Sequence, residues 1–516
     1  MATAVPTDGR PLKWAKVIDN SRCIGCHACT TACKSENEVP LSVTRTFVKY
    51  ADVGTFPQAS RAFQVTRCNQ CENAPCATAC PTSAMYRRPD GIVDFDKSIC
   101  IGCKACMAAC PYDAIFINPD DHSAEKCNFC AHRIDVGLEP ACVVVCPTEA
   151  ILVGDLNDPE SKVSQIVHRE AVSVRRPEKD TKPKLFYKQA HQATLDPTAA
   201  RRPDGGLFMW SEQPSGPHVA TSSGPANSSA AALLSYDVAH AIPWDWRVSA
   251  YTLTKGVAAG VYVVAASLLL AGVMNAGSPL WRWATPALAL AFLAVTGGLL
   301  IWDLEQPTRF YMIFTRPQWR SWLVRGAFII AGYGAVITLH SAASAVSALD
   351  VPRLLIWAGF PLAVMTAVYT AYLFAQSKGR DLWQNPLLPP HFLLHAVLAG
   401  SAALVPVAAV WEPAALPALL WTLMGASIGN LLLIAGEETL AHPTAHARLA
   451  AWEMVHGRYR AYFWSGVVLM AAGSVAAWIG AISAPWIGVL AAPIALAGLF
   501  AHEHAYVQAG QTVPLA

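Results

Sequence analysis

The chain has 516 residues, of which 53% are hydrophobic and only 14% are charged. An average soluble domain is about 25% charged, so this composition excludes one ordinary water-soluble globule and predicts that part of the chain lies in lipid. The 38 lysines and arginines nearly cancel the 36 aspartates and glutamates, and a net charge of +2 gives no basic footprint for nucleic acid.

All 16 cysteines lie between Cys23 and Cys146. A disulfide framework is typical of small secreted chains. The residues before Cys23 lack the apolar core of a cleavable signal peptide, so we expect the chain to carry none. The cysteines are therefore interpreted as ligands of metal ions or iron-sulfur clusters.

Composition divides the chain into three parts. The cysteine-rich part and the polar stretch that follows it are predicted to form one domain over residues 1–190. A connector over 191–246 is predicted to be flexible, because its segment 214–232 is rich in Ser, Gly, Ala and Pro and has no apolar periodicity. Residues 247–516 are predicted to form a membrane domain.

Apolar runs of about 20 residues recur in this last part, and at about 1.5 Å per residue each can cross the hydrocarbon core of a bilayer. Their Gly-rich and Ala-rich faces are typical of closely packed membrane helices. A large soluble helical domain is disfavoured, because soluble helices rarely sustain this length without charge. Eight spans are predicted, near residues 249–273, 282–302, 322–346, 354–375, 391–411, 416–436, 462–482 and 485–507.

Loop charges predict an orientation. Nine basic residues lie in loops on the side of the membrane that holds the N-terminal domain, and two lie in loops on the other side. The two are Arg282 and Arg353. The nine are Arg247, Arg309, Arg316, Arg320, Lys378, Arg380, Arg448, Arg458 and Arg460. The positive-inside rule then predicts a multi-pass protein of a bacterial plasma membrane with its iron-sulfur domain in the cytoplasm. The alternative is that these basic loops contact an acidic docked domain and report an interface instead.

The cysteines form four groups of four. The first and third groups share the spacing C-x2-C-x2-C-x3-C, and they are Cys23, Cys26, Cys29 and Cys33, and Cys100, Cys103, Cys106 and Cys110. This is the bacterial ferredoxin signature, in which three thiolates bind one cubane and the fourth reaches a second cluster. It predicts that [4Fe-4S] clusters occur in pairs.

The second and fourth groups widen one gap of this pattern and end in Cys-Pro. They are Cys68, Cys71, Cys76 and Cys80, and Cys127, Cys130, Cys142 and Cys146. Taken alone, the fourth group is compatible with structural zinc. Its place among ferredoxin repeats favours a cluster. The 16 thiolates therefore predict four [4Fe-4S] clusters, held by two double-cluster modules of an α+β ferredoxin-like domain.

Over roughly residues 12–190 these groups resemble the four-cluster iron-sulfur subunits that accompany molybdopterin oxidoreductases, such as dimethyl-sulfoxide and polysulfide reductases. The resemblance implies that groups exchange ligands and that the outer pair of clusters faces a catalytic partner while the inner pair leads toward the membrane. The implied outer sets are Cys23, Cys26, Cys29 and Cys146, and Cys33, Cys127, Cys130 and Cys142. The implied inner sets are Cys68, Cys71, Cys76 and Cys110, and Cys80, Cys100, Cys103 and Cys106.

The membrane part contains five different short motifs, at 303–310, 320–322, 369–372, 379–383 and 506–511. Together they resemble the NrfD-like membrane subunits of polysulfide reductases, over most of residues 236–516. The resemblance implies an all-α, haem-free bundle that exchanges electrons with membrane quinone.

A quinone site needs a hydrogen-bond donor for each carbonyl, an apolar slot and a proton route. Candidates on the cluster side of the bilayer are His240, Trp244 and Tyr251 near the first span, and Tyr369 and Tyr372 in the fourth. The resemblance supports a histidine near the first span and a tyrosine in the bundle. We therefore predict quinone contacts from His240, Tyr251, Tyr369 and Tyr372, with the interfacial aromatic belt as the alternative role of each Tyr and Trp.

Charged groups in or near the spans are costly and therefore informative. Lys255 and Arg325 have snorkelling to the headgroups as their alternative role. Asp303 with Arg309 is either a structural ion pair or a proton relay. The other charged residues near the ends of spans are Glu305, Glu437, Glu438 and Glu503.

Haem is the main competing cofactor, with His391, His395 and His504 as candidate ligands. The first two follow Pro389-Pro390 at the start of a span, where interfacial histidines are common, so no haem is expected.

These observations predict a fusion of two subunits, which raises their effective concentration. Neither part offers a chemical site for a soluble substrate, so we predict an electron-transfer and membrane-anchor component without catalytic residues. Its partner would be a separate catalytic chain, by resemblance a molybdenum or tungsten bis-pterin protein. The alternatives are a periplasm-facing reductase subunit of the polysulfide or tetrathionate type that oxidises quinol, and a membrane scaffold or transporter with structural zinc.

Overall fold

The structure is a computed structural model and describes residues 11–201, 232–346 and 353–516. Its first part mixes short helices with short strands. The strands are β1 (Trp14–Asp19), β2 (Thr46–Val53), β3 (Ser60–Arg67), β4 (Met85–Arg87), β5 (Val93–Phe95), β6 (Ile115–Ile117), β7 (Ala124–Lys126), β8 (Ile151–Asp155), β9 (Val172–Ser173), β10 (Leu185–Lys188) and β11 (Ala232–Tyr236). The helices are α1 (Ala28–Glu36), α2 (Pro75–Ala79), α3 (Ala105–Ala109), α4 (Ala131–Ile134), α5 (Ala141–Val144), α6 (Lys162–Arg169) and α7 (Gln192–Leu195).

Over its described residues, four small sheets organise this α+β part. One has the order β8-β1-β10-β9, a second has the order β11-β2-β3, and the pairs β4-β5 and β6-β7 form two antiparallel hairpins. Strand β1 is parallel to β10 and antiparallel to β8, which joins the beginning of the domain to its end. The cysteine loops are therefore held between elements that lie far apart in the sequence.

The two ferredoxin-type loops adopt the same backbone turn. Gly25 and Gly102 both have φ of 68°, and His27 and Lys104 both have φ of 60°. A side chain on Gly102 would also lie 2.4 Å from Cβ of Glu305, so this position requires glycine for space as well as for conformation. The repeated spacing in the sequence thus corresponds to a repeated local structure.

The second part is helical, and within the residues that the structure describes eight helices are long and apolar enough to cross a membrane. These spans run over Trp246–Leu270, Leu280–Trp302, Trp322–Ala345, Leu355–Gln376, Leu388–Trp411, Pro413–Thr439, Arg460–Ile482 and Pro485–Thr512. The helices concerned are α8 (Trp246–Leu270), α9 (Thr285–Trp302), α11 (Trp322–Ala345), α12 (Arg353–Gln376), α13 (Leu388–Trp411), α14 (Leu416–Thr439), α16 (Arg460–Ile482) and α17 (Pro485–Thr512). Two shorter helices, α10 (Met312–Thr315) and α15 (Ala445–Val455), lie between spans. The predicted fold class, an α+β iron-sulfur domain followed by an eight-helix membrane bundle, is confirmed.

Helix α8 lies at the centre of the bundle and packs on α9, α12, α13 and α17. It approaches α13 through two glycines. A Cβ on Gly260 would lie 1.7 Å from the carbonyl oxygen of Ala396, and one on Gly400 would lie 2.0 Å from the carbonyl carbon of Gly260. Because lipid gives helices no hydrophobic drive to associate, such close backbone contact is what holds membrane helices together.

Part of the range predicted as a flexible connector has regular structure. Strand β11 pairs antiparallel with β2, and α7 packs on β2 and β3. These residues extend the iron-sulfur domain rather than linking it loosely. Most of the Ser-rich and Gly-rich segment 214–232 lies outside the described residues, and the domain boundaries at 190 and 246 stay predictions.

Candidate functional site

Two small cavities in the iron-sulfur part are lined by cysteines from different groups of the sequence. One is lined by Cys80, Cys100, Cys103 and Cys106. The other is lined by Cys68, Cys71, Cys76 and Cys110. In each cavity one cysteine comes from the neighbouring group, which is the exchange that the resemblance implies for the inner sets.

The remaining cysteines approach one another in the same crossed way. The thiol of Cys23 interacts electrostatically with that of Cys146. Burial, together with the neighbouring thiols of Cys127 and Cys142, raises the pKa of Cys33 to about 12. The first and fourth groups of the sequence therefore meet in space, although more than 90 residues separate them.

The donors around these thiols suit iron-sulfur clusters. All 16 cysteines are free thiols. Backbone N–H groups donate to several of them, including Met85 N to Cys80 Sγ at 3.4 Å, Ala124 N to Cys100 Sγ at 3.4 Å and Ala150 N to Cys146 Sγ at 3.2 Å. Such N–H donors to cluster sulfur are among the features by which proteins tune clusters.

Cys142 has the most electropositive surroundings of these thiols. Burial opposes its ionisation, but Lys16 and Arg67 outweigh burial and lower its pKa to about 7. Nη1 of Arg67 donates to Cys142 Sγ at 2.9 Å, and Nζ of Lys16 donates to the same atom at 3.7 Å. Sequence analysis missed both basic residues, because nothing in the sequence links them to a cysteine so far along the chain.

The third cysteine loop packs directly against the membrane bundle. Trp244, just before α8, donates its indole N–H to the carbonyl oxygen of Cys103 at 3.2 Å. The backbone N–H groups of Glu305 and Gln306, just after α9, donate to the carbonyl oxygens of Gly102 and Ile101, each at 3.2 Å. One cysteine cavity therefore lies at the boundary between the two parts of the chain.

An ion pair reinforces this contact, and it differs from the one predicted. Asp303 pairs with Lys104 at 3.3 Å, whereas Arg309 donates to the carbonyl oxygens of Lys97 and Cys100. The suggested pairing of Asp303 with Arg309 is therefore wrong: both residues hold the iron-sulfur domain through other partners. Burial raises the pKa of Asp303 to about 6, although Lys104 acts in the opposite direction.

Two of the four predicted quinone contacts lie together inside the bundle. Tyr251 and Tyr369 are buried, and both hydroxyls approach Thr370. Nζ of Lys255 donates to Thr370 Oγ1 at 2.7 Å and lies 5.1 Å from the centre of the Tyr369 ring. Lys255 is 1% exposed, so snorkelling, its suggested alternative, is wrong.

The other two candidates lie elsewhere. The ring nitrogens of His240 contact the carboxylates of Asp113 and Asp237, and the ring packs edge-on against Phe47. Tyr372 is 40% exposed and stacks on Trp322 at 4.4 Å between ring centres. The histidine thus ties the segment before α8 to the iron-sulfur domain, and its partner Asp237, three residues earlier, was a signal that sequence analysis overlooked.

The predicted haem candidates are hydrogen-bonded to other side chains. Nδ1 of His391 lies 3.1 Å from Glu437 Oε1, and Nδ1 of His395 lies 3.0 Å from Glu503 Oε1. Nδ1 of His504 lies 3.2 Å from the hydroxyl oxygen of Ser249.

An α+β domain with cavities lined by free cysteines, docked on a bundle of apolar helices, defines a membrane-bound iron-sulfur protein. A family model described as a 4Fe-4S dicluster domain matches residues 60–156. A second model, described as polysulphide reductase, NrfD, matches residues 236–515, more than half of the chain. The chain therefore belongs to the NrfD polysulphide reductase family, and it carries a 4Fe-4S domain in the same polypeptide, as the predicted fusion requires.

Curated relatives match the iron-sulfur part. A subunit of the tetrathionate reductase of Salmonella typhimurium is 40% identical over 197 residues, which cover 37% of this chain and 77% of the relative. A component of the polysulfide reductase of Wolinella succinogenes is 44% identical over 177 residues, covering 34% of this chain and 93% of the relative. Protein NrfC of Escherichia coli is 41% identical over 178 residues, which cover 34% of this chain and 80% of the relative.

Replacing Arg67 should change the electron affinity of one cluster. In Arg67→Gln we expect the most affected cluster to become harder to reduce, with a reduction potential more negative by tens of millivolts, because a positive charge and a donor to Cys142 are lost. A redox titration followed by electron paramagnetic resonance measures this. The control is Arg61→Gln on the same strand, where the arginine is exposed and pairs with Asp52. Identical potentials in both variants, at equal iron content, would contradict the assignment.

His240 should stabilise the contact between the two parts in a pH-dependent way. Burial opposes its protonation, but Asp237 and Asp113 raise its pKa from 6.5 to about 10. The stabilisation is therefore complete below about pH 6.5 and disappears as the pH rises through about 10. We expect His240→Gln to lower the melting temperature of the detergent-solubilised protein by several degrees at pH 6, and by progressively less toward pH 10. A melting-temperature difference between variant and wild type that is the same from pH 6 to pH 10 would contradict this role. The control is His168→Gln, at a surface position.

Proposed function

We propose that this chain carries electrons singly between a separate catalytic subunit and membrane quinone, through four [4Fe-4S] clusters bound by its 16 cysteines. The observation that carries the proposal is the contact between the third cysteine loop and the bundle. Trp244 donates to Cys103, and α8, which bears Tyr251, begins two residues after Trp244. A cluster in this loop would lie beside the membrane part, where an electron can pass to a lipid-soluble acceptor.

The proposed ligand sets are the four crossed ones. Support comes from the two cysteine-lined cavities for the inner sets and from the electrostatic neighbours of Cys23 and Cys33 for the outer sets. When bound, the clusters supply one-electron oxidation and reduction. The protein's own groups adjust the charge around them, as Lys16 and Arg67 do at Cys142.

The proposed quinone headgroup lies near Tyr251 and Tyr369. Their hydroxyls, with Thr370 and the Lys255 ammonium, offer donors to carbonyl oxygens inside an otherwise apolar bundle. Gly326 makes room for this arrangement, because a Cβ there would lie 2.4 Å from the Tyr369 ring. Tyr372, three residues from Tyr369 on α12, is proposed to contact the quinone from the lipid-facing side, and His240 is proposed to hold the segment before α8 on the iron-sulfur domain.

The proposed catalytic partner docks at the outer clusters. Around them Cys26 is exposed, and Ile24 and Val144 are 58% and 62% exposed, so an electron donor or acceptor can approach closely. We propose that this partner is a molybdenum or tungsten bis-pterin chain, which rests on the resemblance to iron-sulfur subunits of such enzymes. The tetrathionate and polysulfide reductase relatives are, by their names, components of multi-subunit reductases.

The proposed location is a bacterial plasma membrane with the iron-sulfur domain in the cytoplasm, a topology supported by the excess of basic residues on that side. Arg309 weakens this support, because it binds carbonyl oxygens of the iron-sulfur domain and so serves an interface. The second candidate is therefore a periplasm-facing subunit that oxidises quinol. The names of the relatives, which include components of tetrathionate, polysulfide and selenate reductases, favour this direction of flow.

Metal analysis tests the clusters. We expect about 16 iron and about 16 sulfide per anaerobically purified chain, four of each per cluster, and a brown protein whose dithionite-reduced form is paramagnetic. In Cys103→Ser we expect one cluster to be lost or altered, whereas Ser98→Ala should leave the iron content unchanged. About four zinc per chain without sulfide would contradict the relay and favour a scaffold with structural zinc.

Tyr369 tests the quinone site. In Tyr369→Phe we expect oxidation of the reduced clusters by a short-chain quinone to slow by about tenfold or more, because a donor to the quinone carbonyl is lost. Stopped-flow absorbance of the clusters measures the rate. The matched control is Tyr333→Phe, which removes a buried hydroxyl that donates to the carbonyl oxygen of Ala258 elsewhere in the bundle. Equal rates in both variants would remove Tyr369 from the site.

A further inference from the structure

A row of polar and ionisable side chains crosses the apolar interior of the bundle on the cluster side. Its members come from four spans and are buried or nearly so, in a region where unpaired charge is expensive. They are Thr252, Lys255, His391, His395, Glu437, His502 and Glu503.

The outer end of the row reaches the surface. Glu437 lies two residues before the end of α14, where Thr439 and Leu440 are exposed. Oε1 of Glu437 accepts from the side-chain amide of Asn385 at 2.8 Å and lies 3.1 Å from Nδ1 of His391. Because α8, the first span, begins beside the iron-sulfur domain and α14 is the sixth span, the end of α14 lies on the same side of the membrane as that domain.

The row continues inward through further polar side chains. The rings of His391 and His395, one turn apart on α13, are 4.3 Å apart between centres. Nδ1 of His395 lies 3.0 Å from Glu503 Oε1, and the other oxygen of Glu503 accepts from the Thr252 hydroxyl at 2.9 Å. Glu503 also interacts electrostatically with Lys255, which donates to Thr370 beside the two tyrosines.

Helix geometry gives the depth of the inner end. Lys255 lies nine residues beyond the start of α8, and Glu503 lies nine residues before the end of α17. At about 1.5 Å per residue both are about 14 Å from the cluster-side ends of their helices. The row thus links the aqueous phase on the cluster side to the middle of the bundle.

A purely structural role leaves part of this arrangement unexplained. Among the described residues, Nε2 of His391, Nε2 of His395 and Nδ1 of His502 have no hydrogen-bond partner. Buried polar atoms without a partner destabilise a fold. A histidine with one nitrogen on a carboxylate and the other available to a neighbour or to water is, however, suited to passing protons.

We propose that Glu437, His391, His395 and Glu503 form a proton route between the cluster-side aqueous phase and the quinone bound near Tyr251 and Tyr369. This inference rests on the proposed function. In the reduction direction, one quinone takes two electrons, delivered singly by reduced clusters, and two protons through the route, and leaves as quinol. In the oxidation direction the same atoms and electrons move in reverse.

The experiment uses the full chain in lipid vesicles with the iron-sulfur domain outside. The clusters are reduced with dithionite, excess reductant is removed, and a short-chain quinone is added. Stopped-flow absorbance follows cluster oxidation, while a pH dye outside or trapped inside follows proton uptake. Ferricyanide, which accepts electrons without protons, replaces quinone in a parallel reaction.

In Glu503→Gln and in His395→Gln we expect quinone-driven cluster oxidation and proton uptake to slow by about tenfold or more, with a larger solvent isotope effect, because proton transfer becomes limiting. Oxidation by ferricyanide should be unchanged, which shows that the clusters are intact. Only the external dye should respond. The matched control is His504→Gln, a histidine next to Glu503 that lies outside the row and should leave all rates within about twofold.

Three results would overturn the route. The first is quinone-driven oxidation at the wild-type rate in both Glu503→Gln and His395→Gln. The second is a response of the internal dye, which would mean that protons come from the other face. The third is a wild-type protein whose clusters react with ferricyanide but not with quinone, and this result alone would also remove the proposed quinone function.

Discussion

The contact between the third cysteine loop and the membrane bundle is the constraint on which the rest of the molecule depends. Electrons tunnel efficiently only over short distances, so a cluster must lie close to its acceptor, and here the loop contributes its own carbonyl oxygens to the contact. Trp244, Glu305 and Gln306 donate to that backbone, and Lys104 binds Asp303. A backbone contact tolerates changes of side chain, but it fixes the loop in position.

Close packing at glycines extends this constraint to both sides of the contact. Gly102 lets Glu305 approach the cysteine loop, and a Cβ on Gly379 would lie 2.6 Å from the carbonyl oxygen of Cys110. The third cysteine group therefore touches the bundle at two places, and at each of them one of the contacting residues is a glycine. Covalent fusion then maintains the docking at any protein concentration, because the second domain is always near its site.

Sequence alone predicted the features that a single continuous stretch of the chain determines. The eight spans agree with the structure to within a few residues, because length and hydropathy determine them, and the cysteine spacing predicted a ferredoxin-type domain. Pairings between distant segments were not predictable. His240 and Asp113 are 127 positions apart in the sequence, and Asp303 pairs with Lys104 instead of the nearby Arg309. Both pairings depend on how the domains dock. The burial of Lys255 was not predictable either, because a single lysine in a span is equally compatible with snorkelling to the headgroups.

The two paths to the proposed quinone use different helices but begin on the same face. The proposed electron path passes from the cysteine loop to α8 near Trp244, whereas the proposed proton route follows α13, α14 and α17. Separate paths avoid a conflict, because a cluster is best kept in dry, apolar surroundings while protons need polar groups and water. If electrons and protons both arrive from the cluster side, each quinone reduced takes up equal positive and negative charge from one face. The reaction at this site then moves no net charge across the membrane, and the arrangement couples the chain to the quinone pool without opposing the membrane potential.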